Sequence, residues 1–162
     1  MSLIIPKLTK PFKYIKPSGL YATTLANVAV AIVNDATIDE LVFETTASGA
    51  GSLILELLFQ IPDDFKKFAG KSDDLSLVAV QDAGADNDST ITIDVIDASG
   101  ADADDDSVNA TDLTNAFATY DCAITGGTFA VGDYITIKIT VTNPDADDDC
   151  RISIPKLKYL PQ

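Results

Sequence analysis

The chain has 162 residues, enough for one domain with a hydrophobic core, and 46% of them are apolar, which excludes a disordered chain. Its formal net charge of −14 argues against binding to nucleic acid, whose phosphates would be repelled. Histidine is absent, which removes the commonest general base and the commonest neutral metal ligand, so histidine-dependent triads and zinc sites are excluded.

The first predicted element is a basic segment at the N-terminus. Residues 1–20 and 151–162 together carry seven cations and no acid, whereas all 25 carboxylates lie between Asp35 and Asp149. Such asymmetry is typical of an interaction arm, although the basic ends would equally well pair with their own acidic body. We predict an extended basic N-terminal arm over residues 1–20 and a single domain over residues 21–162. The lysines predicted to contact a partner are Lys7, Lys10, Lys13, Lys16, Lys156 and Lys158.

The first half of the domain contains several short apolar runs. Turn residues at both ends of these runs favour strands, and the run at 52–59 is apolar on both faces, as in a central strand. Strands are predicted at residues 28–33, 38–45, 52–59 and 75–80. Residues 62–69 predict one helical turn, because Pro62 begins the segment, acids follow early and bases late. The apolar run at 25–33 is too short to span a bilayer, and no secretory signal is recognisable.

The second half alternates apolar and polar residues more strictly. Isoleucine and valine at every second position predict half-buried antiparallel strands at 90–96, at 133–142 and from 151. A further strand is predicted at 117–125. Short strands at near-regular spacing, separated by Asp/Gly/Asn turns, predict an all-β, two-sheet antiparallel β-sandwich of jelly-roll type. Ile5-Pro6-Lys7-Leu8 recurs as Ile154-Pro155-Lys156-Leu157, which predicts extended terminal segments.

Clusters of aspartate in the loops are the strongest candidates for metal ligands. Carboxylate oxygens at short spacing suit Ca²⁺, but no loop follows the twelve-residue calcium-binding pattern, and solvated acidic turns explain the same residues. The candidate Ca²⁺ ligands are Asp102, Asp104, Asp105 and Asp106. Two cysteines, Cys122 and Cys150, form no zinc or disulfide framework, and we expect buried thiols.

No catalytic constellation is recognisable. Glu56 and Asp94 are the carboxylates within strongly apolar strands, and a glycosidase would need such a pair around a desolvated cleft. Without Trp, a cleft that stacks sugars is hard to build, so we expect structural acids and no enzyme activity. If a sugar binds, Tyr120 and Tyr134 are the candidates in the body of the domain, because the other three tyrosines lie near the ends.

Four segments carry a resemblance to a known group of proteins. They are Phe59-Gln60-Ile61-Pro62-Asp63-Asp64-Phe65, Ala110-Thr111-Asp112-Leu113-Thr114, Val131-Gly132-Asp133-Tyr134-Ile135-Thr136-Ile137 and Ile152-Ser153-Ile154-Pro155-Lys156-Leu157. In these segments the chain resembles small jelly-roll structural proteins from the virions of tailed bacteriophages. Similar segments recur in carbohydrate-binding modules that share the sandwich.

The resemblance implies a repeated surface subunit, often a trimer, that acts through protein–protein contacts. Because the domain begins close to the N-terminus, we expect a capsid decoration or minor capsid subunit rather than a fibre. It would be assembled into the virion in the host cytoplasm as a homo-oligomer against the major capsid or another virion protein. The alternative is an adhesion domain that resembles a carbohydrate-binding module and binds host-surface glycans, with or without Ca²⁺.

Overall fold

The structure is a computed structural model that describes residues 12–38, 40–81, 88–143, 146 and 149–162. Within these residues the chain forms thirteen strands and no helix, and therefore no helix that could cross a membrane. The strands are β1 (Lys13–Ile15), β2 (Pro17–Leu25), β3 (Val28–Asp35), β4 (Glu40–Ala47), β5 (Gly51–Gln60), β6 (Phe65–Lys67), β7 (Leu75–Gln81), β8 (Thr90–Ile96), β9 (Thr111–Asp112), β10 (Ala118–Cys122), β11 (Tyr134–Asn143), β12 (Cys150–Ser153) and β13 (Lys156–Pro161).

The strands form two antiparallel sheets. Sheet A has eight strands, in which β3, β4, β12 and β7 are successive neighbours and β10 pairs with the opposite edge of β7. Strand β13 follows β12 along β7 and also pairs with β1 and β6. Sheet B has five strands in the order β2-β5-β11-β8-β9. The predicted all-β, two-sheet sandwich is confirmed.

Alternation along the strands creates the core between the sheets. In β11, Ile135, Ile137, Ile139 and Val141 are completely buried, and the intervening residues point to solvent. The matching inward row of β5 runs from Leu53 to Phe59. Burial of such aliphatic side chains stabilises the fold by about 1.5–3 kcal/mol each. Sheet A adds the following inward residues: Phe43, Leu75, Leu77, Ala79, Ile152 and Leu157.

The strands predicted from the sequence are present, with one error between them. The alternating segments form β8, β11 and β12, and the less regular ones form β3, β4, β5, β7 and β10. The helical turn predicted over residues 62–69 is wrong. Residues 63 and 64 form a turn, and β6 follows and pairs with β13. Phe65 and Phe68 both reach the core there, and their rings pack edge to face at 5.0 Å, so burial of the two rings decides the local conformation.

The two ends of the described chain belong to the sheets. Residues 13–20 of the predicted arm lie in β1 and β2 or between them, and residues 1–11, with Lys7, Lys10 and the first Ile-Pro-Lys-Leu copy, lie outside the described residues. In the second copy, Pro155 separates β12 from β13, at a position that needs no ladder hydrogen bond from its nitrogen. Cys122 and Cys150 are both buried thiols.

Candidate functional site

The solvent-facing side of sheet B collects polar side chains from four strands. Alternation that buries the aliphatic rows of β5, β8 and β11 directs their other residues outward, and β2 continues this surface at the sheet edge. We refer to this surface as the polar face, formed by Tyr21, Thr23, Glu56, Gln60, Asp94, Tyr134, Thr136, Lys138 and Thr140. Half-buried Ile54 and Leu58 lie between these residues.

A row of charges crosses the middle of the polar face. The register places Tyr21 opposite Glu56, Glu56 opposite Lys138, and Lys138 opposite Asp94. The Lys138 ammonium lies 3.5 Å from the Asp94 carboxylate. Because directly opposed residues of neighbouring strands are about 5 Å apart, the row presents acceptor, donor and acceptor within about 10 Å.

Two tyrosines stand on the polar face on either side of β5. Tyr21 is 64% exposed and Tyr134 is 50% exposed. Tyr134 pairs with Gln60, four residues along β5 from the partner of Tyr21. At about 3.4 Å per residue and about 4.8 Å per strand, the Cα atoms of the two tyrosines are about 17 Å apart. An oligosaccharide or another elongated polar ligand could contact both rings.

Of the two tyrosines predicted to bind a sugar, Tyr120 and Tyr134, the structure exposes Tyr134 and buries Tyr120. Tyr134 lies on the polar face as an exposed residue, but Tyr120 is 7% exposed and its hydroxyl donates to the carbonyl of Asp112 at 3.1 Å. Burial raises the pKa of Tyr120. Tyr21 lies near the N-terminus and outside the predicted pair, but it joins the face through the pairing of β2 with β5. The polar residues at alternate positions of β8 and β11 were the sequence signal for this surface.

A groove of about 480 Å³ lies beside the end of the polar face. It lies where β5 ends and β11 begins, and two backbone bonds join the segments there: the Ile61 amide donates to Asp133 at 2.8 Å and the Gly132 amide donates to Ile61 at 2.9 Å. Gln60 belongs to both the groove and the polar face. Tyr14, from β1, lines the other side of the groove.

Tyr159 lines the inner part of the groove and donates a hydrogen bond to the Asp64 carboxylate at 2.6 Å. Burial and the neighbouring negative charge of Asp64 raise the pKa of Tyr159 to about 12. The Tyr159 phenol is therefore a neutral hydrogen-bond donor at physiological pH, and the Asp64 carboxylate holds it in place.

Three of the four described lysines of the predicted partner-binding set lie close to the protein's own acids. Lys13 pairs with Asp64, and Lys158 pairs with Asp73 while its ammonium lies 4.7 Å from the Phe12 ring centroid. Lys156 bonds Glu40 at 2.5 Å. Lys16 is exposed and lines the groove next to Tyr14. Contact of these lysines with a partner stays a prediction.

Three of the four predicted Ca²⁺ ligands accept hydrogen bonds from backbone amides of their own loop or of neighbouring segments. Asp104 accepts hydrogen bonds from the amides of Val95 at 2.6 Å and Asp106 at 2.8 Å, and Asp105 accepts one from Ala123 at 3.1 Å. Asp102 bonds the Asp104 amide at 3.4 Å, and Asp106 is exposed. Burial, together with the neighbouring Asp102 charge, raises the pKa of Asp104. No group of three or more acidic or cysteine side chains that could hold a metal ion converges in the described part of the chain, and Ca²⁺ binding by these four residues stays a prediction.

A neighbouring aspartate, Asp97, uses its carboxylate to stabilise loops. Asp97 accepts hydrogen bonds from the Ser99 hydroxyl at 2.6 Å and from the amides of Ser99 and Ala101 at 2.9 Å. Its second oxygen accepts from the Thr128 amide at 2.9 Å, so one carboxylate joins two loops. These bonds hold the pKa of Asp97 well below its usual range.

Similarity to known proteins is visible in the fold alone. No protein-family model matches the sequence, and no curated protein matches it. The CBM22-1 xylan-binding domain from Paenibacillus barcinonensis Xyn10C is 14% identical, with a TM-score of 0.50 over 87% of this chain and 86% of that domain. The enzymatically active domain of tailspike protein 4 from bacteriophage CBA120 is 15% identical, with a TM-score of 0.53 over 88% of this chain and 19% of that one.

These two similarities connect the chain with a β-sandwich also found in a carbohydrate-binding module and in a phage tailspike. Neither of the two is a capsid or head-decoration protein. At such low identity the sandwich itself is the shared property, and the residues of a site must be argued from this chain.

Proposed function

We propose that this chain is a non-catalytic carbohydrate-binding domain that holds an oligosaccharide across the polar face of sheet B. The observation that carries the proposal is the pair of exposed tyrosines, Tyr21 and Tyr134, on one solvent face with the Glu56–Lys138–Asp94 row between them. The fold shared with a xylan-binding domain supports the carbohydrate-binding alternative over the capsid reading.

The chemistry of the face suits a neutral sugar chain. A tyrosine ring offers an apolar surface to the C–H face of a sugar and a hydroxyl at its rim. Carboxylates accept hydrogen bonds from sugar hydroxyls, and the Lys138 ammonium donates to sugar oxygens. Because the row contains both signs of charge, it offers hydrogen bonds without a strong field that would select an ionic ligand.

The same geometry disfavours glycoside hydrolysis. Hydrolysis needs one carboxyl that stays protonated because it is desolvated, beside a second that is ionised. Glu56 is exposed on an open sheet face, and the Lys138 side chain stands between it and Asp94. We therefore assign the pair to binding.

The test is a screen of soluble oligosaccharides, including xylo-oligosaccharides, by calorimetry with and without added Ca²⁺. Covering one face of a tyrosine buries about a third of the ~200 Å² of an aromatic side chain. At ~25 cal/mol per Å², this is worth about 1.7 kcal/mol, so Tyr21→Ala and Tyr134→Ala should each weaken binding about 15-fold.

Tyr14→Ala is the matched control, because Tyr14 is 63% exposed but lies on β1 of sheet A. It should leave the affinity close to that of the unaltered protein. If the Tyr14 variant loses binding while the Tyr21 and Tyr134 variants keep it, the ligand occupies the groove and the placement on the polar face is wrong. If no oligosaccharide binds under either condition, the proposed function is wrong.

A second candidate is a structural protein of a phage virion, favoured by the fold shared with a phage tailspike. In that role the chain would form a homo-oligomer through its basic N-terminal arm. Light scattering of the protein with and without residues 1–11 tests this, because the deletion leaves β1 and its pairing with β13 in place. An oligomer lost on deletion supports the arm, and an unchanged oligomeric state contradicts it.

A further inference from the structure

Strand β3 gives sheet A a long and regular edge. It pairs with β4 over its whole length, from Val28 opposite Ala47 to Asp35 opposite Glu40, without a shift in register. No described residue pairs with its other edge. The other edge strands of the described residues differ: β9 has two residues, β1 and β6 have three each, β10 has five, and β2 has a register irregularity between Pro17 and Gly19.

The edge lacks the devices that normally prevent strand addition. Protective edges carry lysine, proline or a bulge, whereas β3 begins with six apolar residues, Val28 to Val33. Ile32 pairs with Phe43, a core residue, and so lies on the inward side of sheet A, yet it is 57% exposed. On sheet B, Leu20 pairs with the core residue Leu57 and is also exposed. Inward-facing apolar residues therefore lie uncovered along this side of the sandwich.

Charge decides which partner suits the edge. The chain carries a net charge of −14, so most of its surface repels a second copy. The one ionisable residue in β3 is Asp35, and the Arg151 guanidinium donates to its carboxylate at 2.6 Å. A second copy can therefore approach along β3 without bringing unpaired like charges together.

We propose that β3 is a homodimer edge, at which the β3 strands of two copies pair antiparallel and join their A sheets into one. Backbone hydrogen bonds supply the affinity of such strand addition. A two-fold axis perpendicular to the sheet keeps the inward row of both copies on the same side, so Ile32 and Val30 pack beside their counterparts. The uncovered apolar strip becomes the centre of the interface, and the polar face stays open.

Sedimentation velocity over a range of concentrations tests the proposal, with Ile32→Lys and Ala29→Lys as edge variants, since Ala29 is also exposed. The unaltered protein should be a dimer and both variants monomers. Thr142→Lys is the control, because it adds the same charge at an exposed position of β11, an interior strand of sheet B, and should remain dimeric. Circular dichroism shows whether each of the three variants folds. If the Ile32 variant does not fold, the Ala29 variant still tests the proposal.

Amide hydrogen exchange gives an independent readout. Alternate amides of β3, those on the edge away from β4, should exchange more slowly as the concentration rises. A monomer at every concentration, or a dimer that survives both edge substitutions, overturns the proposal. A dimer lost on deletion of residues 1–11 but kept in both edge variants assigns the interface to the arm instead.

Discussion

Removal of the Asp74 side chain should be among the most destabilising single changes outside the aliphatic core. Asp74 is completely buried immediately before β7, and its carboxylate accepts hydrogen bonds from three backbone amides: Ala69 at 3.2 Å, Gly70 at 2.6 Å and Lys71 at 3.0 Å. Gly70 adopts a φ of +66°, a left-handed conformation that glycine tolerates without strain. The carboxylate thus holds a tight loop, together with the backbone hydrogen bond that the Asp74 amide donates to the Lys71 carbonyl at 2.9 Å.

The cost of Asp74→Ala follows from these three bonds. Each lost hydrogen bond lowers the free energy of unfolding by about 1 kcal/mol when the amide left without an acceptor stays buried, so the total loss is about 3 kcal/mol. With a urea m-value of about 2 kcal/mol per M, the unfolding midpoint should fall by about 1.5 M at an unchanged slope.

Asp133→Ala is the matched control for Asp74→Ala. The Asp133 carboxylate accepts one hydrogen bond, from the Ala130 amide at 2.9 Å, and this bond is exposed to solvent. Its removal should lower stability by about 1 kcal/mol or less. If Asp74→Ala were no more destabilising than Asp133→Ala, the hydrogen bonds from the three backbone amides to the Asp74 carboxylate would not be what stabilises this loop.

Three further predictions concern titratable groups. Because hydrogen bonds lower the pKa of Asp97, its ionised form adds stability above the unfolded-state pKa of 3.8, and this stability is lost as the pH falls through the folded-state pKa. Asp97→Asn should therefore lower the urea midpoint at neutral pH, and its difference from the unaltered protein should shrink in acid. Burial raises the pKa of Cys122, so a thiol reagent should modify Cys122 only after denaturant is added, as followed by mass spectrometry. Ultraviolet titration should find one tyrosine near a pKa of 12, and Asp64→Asn should lower that value only in part, because burial is its larger cause.

The sequence was sufficient for the fold wherever alternation was strict. Strand β11 alternates isoleucine or valine with polar residues because one side is buried and the other faces solvent, and the same reasoning located β8. It failed for β13, where Leu157, Lys158 and Tyr159 are consecutively buried, since flanking segments cover both sides of the strand. It failed for β6 because a segment of three residues, Phe65 to Lys67, is too short for alternation to distinguish a strand from a turn.

The candidate site was harder to predict because it depends on register. Glu56, Lys138 and Asp94 are far apart in the sequence and become neighbours through the pairing of β5, β11 and β8. The sequence identifies Glu56 and Asp94 as unusual acids in apolar strands, but it does not predict that they lie on the same face of one sheet. Tyr21 reaches the site because β2 joins sheet B at its edge, and nothing in the local sequence specifies that partner.

The proposed dimer and the proposed binding face make a joint prediction. A two-fold axis perpendicular to sheet A carries the polar faces of both copies to the same side of the dimer, so two faces can bind one polysaccharide. The second contact is then intramolecular and can raise the apparent affinity for a polymer by about 10²–10⁴-fold. Ile32→Lys should therefore weaken binding to an immobilised polysaccharide but leave the affinity for a short soluble oligosaccharide unchanged. Equal loss for both ligands would mean that the Ile32 substitution damages the face itself, and no loss for either would mean that the two faces do not act together.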